Sequence, residues 1–489
     1  DADGHPVEPE WPEADAIVGN PPFLGGSKKR RVLGDSYFES LAQIYGGRVP
    51  AGADLVTYWF EKARAQLESG RSKRVGLVAT QAIRRGSNQK VLARITETGV
   101  IFDAWGDEPW INEGAAVRVS LIAFAPTGGG QTIRLNGQAV AGIYADITEE
   151  ADSGLDLGKA TPLPSNAIAF EGTKKYGAFD IAGDLAREWL LASNPDGRSN
   201  RTVLKPWRNG QDLTRRPADH WIIDFGVDRP EADAALFERP YEHALTHVKP
   251  YRETVRRERT RRRWWIHEEA RVALRESLAG LGRYIATPRV AKFRFFVWLP
   301  QSVLPDTRLC VVCREDDETF GALSSRIHTA WALARASRHG DGNEGGRPTY
   351  NAGTCFETFP FPEGLTPDLA PADYSNPHAE AIAQAARTLN EHRENWLNPR
   401  ELTKRVPEVV EGYPDRILPV DAAAEKALKK RTLTNLYNER PTWLDNDHKA
   451  LDTAVATAYG WDDYSPDMPD DEILSRLLAL NLERAERQA

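Results

Sequence analysis

The chain has 489 residues, of which 41% are hydrophobic and 27% charged, with a net charge of −8 and three cysteines. That length allows two to four domains with sizeable cores. No run of about 18 apolar residues is present, which excludes a membrane-spanning helix, and so few cysteines exclude a disulfide framework and point to a reducing cytoplasm.

The opening segment from Asp1 to Glu13 is polar and proline-bearing, unlike a secretory leader. The chain starts at Asp1 and has one methionine, Met468, so it is expected to be a piece of a longer protein. Ala16-Ile17-Val18 forms a short apolar strand ending at Gly19. Asp54 to Leu67 has helical periodicity, with Leu55, Tyr58, Trp59 and Ala63 on one face. Val75 to Ala79 is a continuous apolar run, as in a strand covered on both faces, and Val117 to Phe124 is another strand. Strands alternating with helices predict an α/β fold, part of a doubly wound, mostly parallel Rossmann-like sheet. Pro126 to Gly130, including Gly128-Gly129-Gly130, reads as a flexible connection, and the turn-rich stretch from Ala151 to Asn166 sets a boundary near 150. Residues 151–365 are mixed α+β and rich in arginine and aromatics, and the prolines from Pro360 to Pro371 set a second boundary. Residues 366–489 are mainly helical, over Ala379 to Trp396, Asp447 to Ala458 and Asp470 to Arg487.

Asn20-Pro21-Pro22-Phe23 follows directly on the first strand and Gly19. These residue types suit an exocyclic amine whose lone pair is delocalised into an aromatic ring. Two acceptors that take both amine hydrogens draw the nitrogen towards tetrahedral geometry and aim its lone pair at an electrophile. Asn20 offers a side-chain oxygen and Pro21 a backbone carbonyl with no competing N–H. Consecutive prolines hold φ near −65°, so the acceptors are preorganised. Phe23 supplies an aromatic face.

This tetrapeptide resembles the fourth motif of the amino-methylating DNA methyltransferases. Its flanks resemble them too: Gly25-Gly26, Lys28 to Arg31, Ala53-Asp54 with Tyr58 to Ala63, the strand Val75 to Thr80, and Gly114 to Ser120, which is similar to the eighth motif. The nearest likeness is to the MmeI-like (type IIL) family and related adenine methyltransferases of phage-defence systems, and it runs nearly end to end. Phe320 to Ser325, Cys355 to Pro360, Ala458 to Trp461 and Leu480 to Arg484 share in it. The resemblance implies transfer of a methyl group from S-adenosylmethionine to N6 of an adenine turned out of double-stranded DNA. It assigns the amine to Asn20 and Pro21, the base face to Phe23, and the cofactor side to Asn20 and Pro22. Trp110, or alternatively Trp105, would close the other face of the base. The glycine-rich turn and acidic ribose-binding residue that such enzymes place before this motif are not found in the 19 residues preceding Asn20. Partners are therefore expected to include an N-terminal methyltransferase or nuclease portion, or other defence-system subunits, and no membrane.

The second region is expected to bind DNA through Arg256, Arg259 and Arg263, within a run that also holds Arg257, Arg261 and Arg262, and through Arg283, Arg289, Lys292 and Arg294. Arg289 to Arg294 reads as strand-like, able to present alternate side chains to a groove. Trp207 to Gly210 and Arg347 to Asn351 read as loops of the same domain. The competing interpretation of the arginine run is a solvated helix face anchored by Trp264 and Trp265. Cys310 and Cys313 have the spacing of half a metal site, but Leu309 to Cys313 reads as a buried strand and no metal is expected. Two alternatives stay open on sequence: methylation of another nitrogen (cytosine N4 or a protein glutamine), and a DNA-recognition subunit without activity of its own.

Overall fold

The computed structural model describes residues 6–84, 86–112, 115–128, 130–149, 157–339 and 347–488. The chain divides into two compact units that meet in sequence at Gly158 and Lys159.

The first unit contains β1 (Ala16–Gly19), α1 (Gly26–Leu33), α2 (Asp35–Tyr45), α3 (Thr57–Glu68), β2 (Arg74–Thr80), α4 (Gly86–Thr98), β3 (Gly99–Asn112), β4 (Ala115–Pro126), β5 (Arg134–Leu135) and β6 (Gln138–Ala139). They build a six-stranded sheet in the order β1-β2-β4-β3-β5-β6. β1 runs parallel to β2, with Gly19 opposite Leu77, whereas β4 is antiparallel to both β2 and β3. β1, β2, β3 and β5 thus share one direction while β4 and β6 run against it, and the sheet is mixed rather than mostly parallel. The cause is local: β3 and β4 are consecutive strands separated by two residues, a link too short for the crossover that parallel neighbours require. β1 is an edge strand, and Val18 on it is 85% exposed.

The core of this unit packs Val75, Leu77 and Ala79 of β2 with Phe60 and Ala63 of α3 and Val91, Leu92 and Ile95 of α4. Phe60 stacks on Phe124 at 6.0 Å between ring centroids. Of the other residues of β2, Arg74 is exposed and the rest are half-buried, so the strand alternates instead of being covered equally on both faces. α3 departs from the expected one-sided helix, because Thr57, Glu61, Lys62, Arg64 and Gln66 are buried as well. Glu61 is tolerated inside because Arg64 grips it with two hydrogen bonds of 2.9 and 3.0 Å and Arg94 adds a third at 3.3 Å.

The second unit contains β7 (Ala169–Glu171), β8 (Asp180–Ala182), α5 (Gly183–Leu191), β9 (Leu204–Arg208), α6 (Gly210–Thr214), β10 (His220–Ile223), α7 (Glu231–Ala234), α8 (Glu238–His247), α9 (Lys249–Glu253), α10 (Glu258–Arg262) and α11 (Val272–Leu278). It continues with β11 (Arg283–Pro288), β12 (Val297–Pro300), β13 (Leu304–Pro305), β14 (Leu309–Val312), α12 (Asp317–Ser324), α13 (Arg326–Arg335), β15 (Ser337–His339) and β16 (Arg347–Thr349). Last come α14 (Ala379–Leu397), β17 (Thr403–Val406), β18 (Arg416–Pro419), α15 (Ala422–Leu428), α16 (Leu433–Glu439), α17 (Thr442–Ala458) and α18 (Asp470–Gln488). Two four-stranded sheets, β13-β9-β10-β8 and β12-β11-β14-β7, form its β framework.

No break between compact units falls at 365/366. α14 lies against α12 so closely that a Cβ on Gly321 would stand 2.6 Å from Ile382 Cγ2. Arg393 of α14 donates to the Phe296 carbonyl at 2.7 Å, and Asn481 of α18 bonds both the N–H and the carbonyl of Thr161. The C-terminal helices therefore complete the core that begins at residue 159. The ribbon β17–β18 and the short helices α15 and α16 are additions to the three expected helices.

Two imidazoles are sealed in this unit. Burial lowers the pKa of His267 to about 4, against opposition from Asp224, and that of His328 to about 3, with Arg294 adding to the effect. Both stay neutral in the fold, while in the unfolded chain they take up protons below about 6.5. Stability conferred by the neutral form is thus present above that value and is lost as pH falls towards the folded pKa, at about 1.4 kcal/mol per pH unit for each imidazole. The urea midpoint of the second unit should fall between pH 6 and pH 5. Burial lowers the pKa of His448 to about 3 as well, so His328→Gln, which retains a polar partner for Tyr350, should flatten that slope by about a third; an unchanged slope would show that His328 titrates normally in the fold.

Candidate active site and nucleic-acid interface

Gly19 closes β1 opposite Leu77, and the Asn20–Phe23 turn leaves the sheet at the carboxyl end of the parallel pair β1–β2. That is the end at which open α/β sheets place their ligands. Pro21 is buried, while Asn20 and Pro22 are exposed and Phe23 is 37% exposed. The buried proline pins the turn, leaving the asparagine amide and the phenyl ring presented on either side of it.

The segment after the turn is held at several points. The Leu55 N–H donates to the Leu24 carbonyl at 2.8 Å. The Gly26 N–H donates to Asp54 Oδ1 at 2.7 Å, and Asn88 Nδ2 donates to Asp54 Oδ2 at 3.0 Å. Asn88 in turn accepts from the Asp54 N–H at 2.7 Å and donates to the Ala82 carbonyl, just after β2. Gly26 is required here, since a Cβ would stand 2.1 Å from the Gly52 carbonyl oxygen. Lys29 is fully buried, donating to the Ala51 carbonyl and the Tyr58 hydroxyl at 3.2 Å each, with its ammonium 4.8 Å from the Tyr58 ring centre. Burial pushes its pKa down, while Asp54 partly restores it. No spacing rule marks Asp54 and Asn88 as partners from the sequence; 34 residues separate them.

The strand register separates the two tryptophans. The row through Gly19 and Leu77 passes Ile122 and reaches Ala104, next to Trp105, and the row through Thr80 and Val119 reaches Glu108. Trp105 itself pairs with Leu121, the row just past Gly19, while Trp110 pairs with Val117, further along β3 and beyond the end of β2. Trp105 is engaged by the β5–β6 turn, where a Cβ on Gly137 would be 3.3 Å from its ring. β1 and β3 are three strand spacings apart, roughly 14 Å. Gly114 and Gly129 lie outside the described residues.

In the second unit the arginine run is broken, not one helix. α9 ends at Glu253 and α10 covers Glu258–Arg262, with Arg263 already at its C-cap. Arg257 pairs with Glu268, Arg261 donates to the Val255 carbonyl at 3.1 Å, Arg262 faces Glu258 at 3.9 Å, and Arg263 is tied to the Val227 carbonyl. Among the described residues the exposed Arg256 and Arg259 side chains make no hydrogen bond or ion pair. Trp264 and Trp265 are core residues, donating to Glu231 and to the Arg229 carbonyl.

The later basic residues are placed differently from the strand-like expectation. β11 ends at Pro288, and residues 289–296 form the connection to β12, because the chain turns back there into an antiparallel pair. Arg283 pairs with Asp317 at 2.8 Å and lies 3.7 Å over the Trp298 ring, which itself stacks on Phe320. Arg289 pairs with Glu171 at 2.8 Å. Arg294 is buried and donates to Thr287 Oγ1 and the Pro288 carbonyl over the Tyr350 ring, so it faces the interior and not a groove. Lys292 is exposed and donates to Asn438 Oδ1 at 2.9 Å. Of the two expected loops, Trp207 is a buried residue of β9 and Asn209 caps α6, while Arg347–Thr349 is β16 and Tyr350 is buried. Burial also pushes the Cys313 thiol up to about 12, and among the described residues no group of three or more His, Cys, Asp or Glu is placed to hold a metal. No described helix is long and apolar enough to cross a membrane.

No family model and no curated protein matches this chain. Among solved structures, the type IIL restriction-modification enzyme MmeI in complex with DNA superposes with a TM-score of 0.65 at 19% identity, over 96% of this chain and 57% of that one. The fold is MmeI-like. The chain thus spans little more than half the length of that enzyme. The type IIG restriction endonuclease BpuSI, at a TM-score of 0.27 and 9% identity over 91% of this chain and 54% of its own, is too distant to bear on the fold.

Asp54 is the point at which the architecture of the turn can be tested. Asp54→Ala leaves the Gly26 N–H without its acceptor and the Asn88 amide with the Ala82 carbonyl alone, at a cost of about 1–3 kcal/mol. Urea unfolding of the first unit should show that loss, and hydrogen exchange at Gly26 should accelerate in parallel. Unchanged protection at Gly26 would mean that the turn is held by other contacts.

Proposed function

We propose that this chain carries the target-base side and the DNA-recognition part of a site-specific DNA adenine methyltransferase from a restriction-modification or phage-defence system. The observation that carries this reading is the Asn20–Phe23 turn, with Asn20 and Phe23 displayed around a buried Pro21 at the carboxyl end of β1–β2. The likeness of the whole chain to MmeI supports it.

Asn20 Oδ1 and the Pro21 carbonyl accept the two N6 hydrogens, turning the nitrogen lone pair out of conjugation. Phe23 stacks on the base, which must first leave the duplex, and Trp110 closes the opposite face. The exposed Asn20 and Pro22 fit one wall of a cofactor site. S-adenosylmethionine, when bound, supplies an electrophilic methyl group, and these two residues would border it. In the second unit Arg256 and Arg259 neutralise phosphates of double-stranded DNA, with Lys292 as a further exposed cation. Arg263, Arg283, Arg289 and Arg294 act on DNA indirectly, by shaping the domain.

In the full-length protein, Asn20→Ala should reduce methyl incorporation a hundredfold or more while DNA affinity stays within a few fold. Near-normal methylation by this variant would sink the proposal. Nucleoside analysis of the product separates adenine N6 from cytosine N4, since the same turn could orient either amine.

The arginines supply a contrast. Arg259→Ala should lower the slope of log affinity against log salt by about 0.9, the loss of one phosphate contact. Arg294→Leu should leave the slope alone and alter only the unfolding midpoint. If the two variants exchange these signatures, the division between surface and interior arginines is wrong.

A further inference from the structure

Next to the arginine run lies a cavity of about 480 Å³ that takes no part in the proposed methyl transfer and shares one residue, Arg256, with the proposed duplex-binding surface. Lys174 and Tyr176 approach it from the segment between β7 and β8, Tyr251 from α9, Arg256 from the following turn, and Glu268 from its floor. Tyr176 and Tyr251 are 39% and 48% exposed, with ring centroids 5.6 Å apart and planes inclined by 55°. Tyr176 has φ +50°, a left-handed conformation that is unfavourable for a bulky residue.

The support beneath is buried and largely paired internally. Arg252 is buried, lies 5.8 Å from the centre of the Tyr176 ring, and donates to the Lys175 and Ile266 carbonyls at 2.8 and 3.1 Å. Glu268 is surrounded by Arg257, Arg252 and the Thr260 hydroxyl, which neutralise its charge towards an incoming anion. Arg256 is left as an exposed guanidinium whose side chain has no partner among the described residues. A second cavity of about 390 Å³ continues past Arg257 to Arg259 and Arg263.

An exposed aromatic pair beside an unpaired guanidinium matches the two chemical faces of a nucleotide, a flat base and a phosphate. We propose that this cavity binds one unstacked nucleoside phosphate, with the phosphate on Arg256 and the base against Tyr251 and Tyr176. The ligand is either a nucleotide of a DNA strand or a free nucleotide. The first source rests on the proposed DNA-binding function and extends it to a base that is not the methylation target.

The test uses the full chain with three probes: a fluorescein-labelled single-stranded 12-mer, its duplex, and deoxyadenosine 5′-monophosphate as competitor. Tyr251→Ala should weaken the single-strand complex about tenfold, the usual scale for losing one base–aromatic stack, while Tyr251→Phe retains it. Arg256→Ala should reduce the single-strand salt slope by about 0.7. If the monophosphate alone competes, and the variants lose only that competition, the site takes a free nucleotide. Failure of the wild type to bind any probe overturns the proposal. Unchanged binding of both DNA and monophosphate in Tyr251→Ala and Arg256→Ala also overturns it, provided that their urea midpoints match the wild type. Equal losses in Tyr251→Ala and Tyr251→Phe would likewise refute stacking. Methylation that persists in Asn20→Ala would instead refute the methyltransferase reading, and these binding readouts are independent of it.

Discussion

Everything attributed to Asn20 and Phe23 depends on a carboxylate that touches neither of them. Asp54 stands at the entry to α3, receives the Gly26 N–H that starts α1, and receives the amide of Asn88 from α4. Two segments distant in sequence are thereby fixed to one side chain, and the Asn-Pro-Pro-Phe turn hangs between that anchor and the end of β1. Preorganised acceptors help a reaction only if they need not move when charge develops. Two prolines restrict the turn from within, and Asp54 restricts it from outside.

The turn itself was legible in the sequence because its chemistry is local: four consecutive residues after an apolar strand. The strands β2 and β4 and the helices α14, α17 and α18 were also legible, since each carries its own periodicity. The direction of β4 was not, because polarity within a sheet is decided by connection length and pairing rather than by composition. α3 misled for a related reason. Its buried Glu61 and Arg64 look solvent-facing in a hydropathy pattern, and only their mutual pairing makes them interior residues.

Arginine is the residue type for which the sequence says least about location. Arg294 and Arg256 belong to the same basic region, yet one is sealed among Tyr350 and the Pro288 carbonyl and the other has an unengaged guanidinium. What distinguishes them is the supply of carbonyl and carboxylate partners from elements far away in the chain, such as Asp317 for Arg283 and Glu171 for Arg289. A count of basic residues therefore overstates the surface charge of the second unit, and the useful quantity is the number of cations left over after internal pairing.

The close approach of α12 and α14 at Gly321 bears on how such proteins can be recombined. A helix pair with no room for a methyl group between backbones accepts few substitute partners, so residues before and after 365 have to be inherited together. Chimeras between relatives that inherit the residues from Lys159 onward as one piece would keep the interior of this unit intact. A crossover inside the second unit would mate helix surfaces shaped for different neighbours. A single missing Cβ at Gly321 thus ties the residues on both sides of 365 into one packed unit.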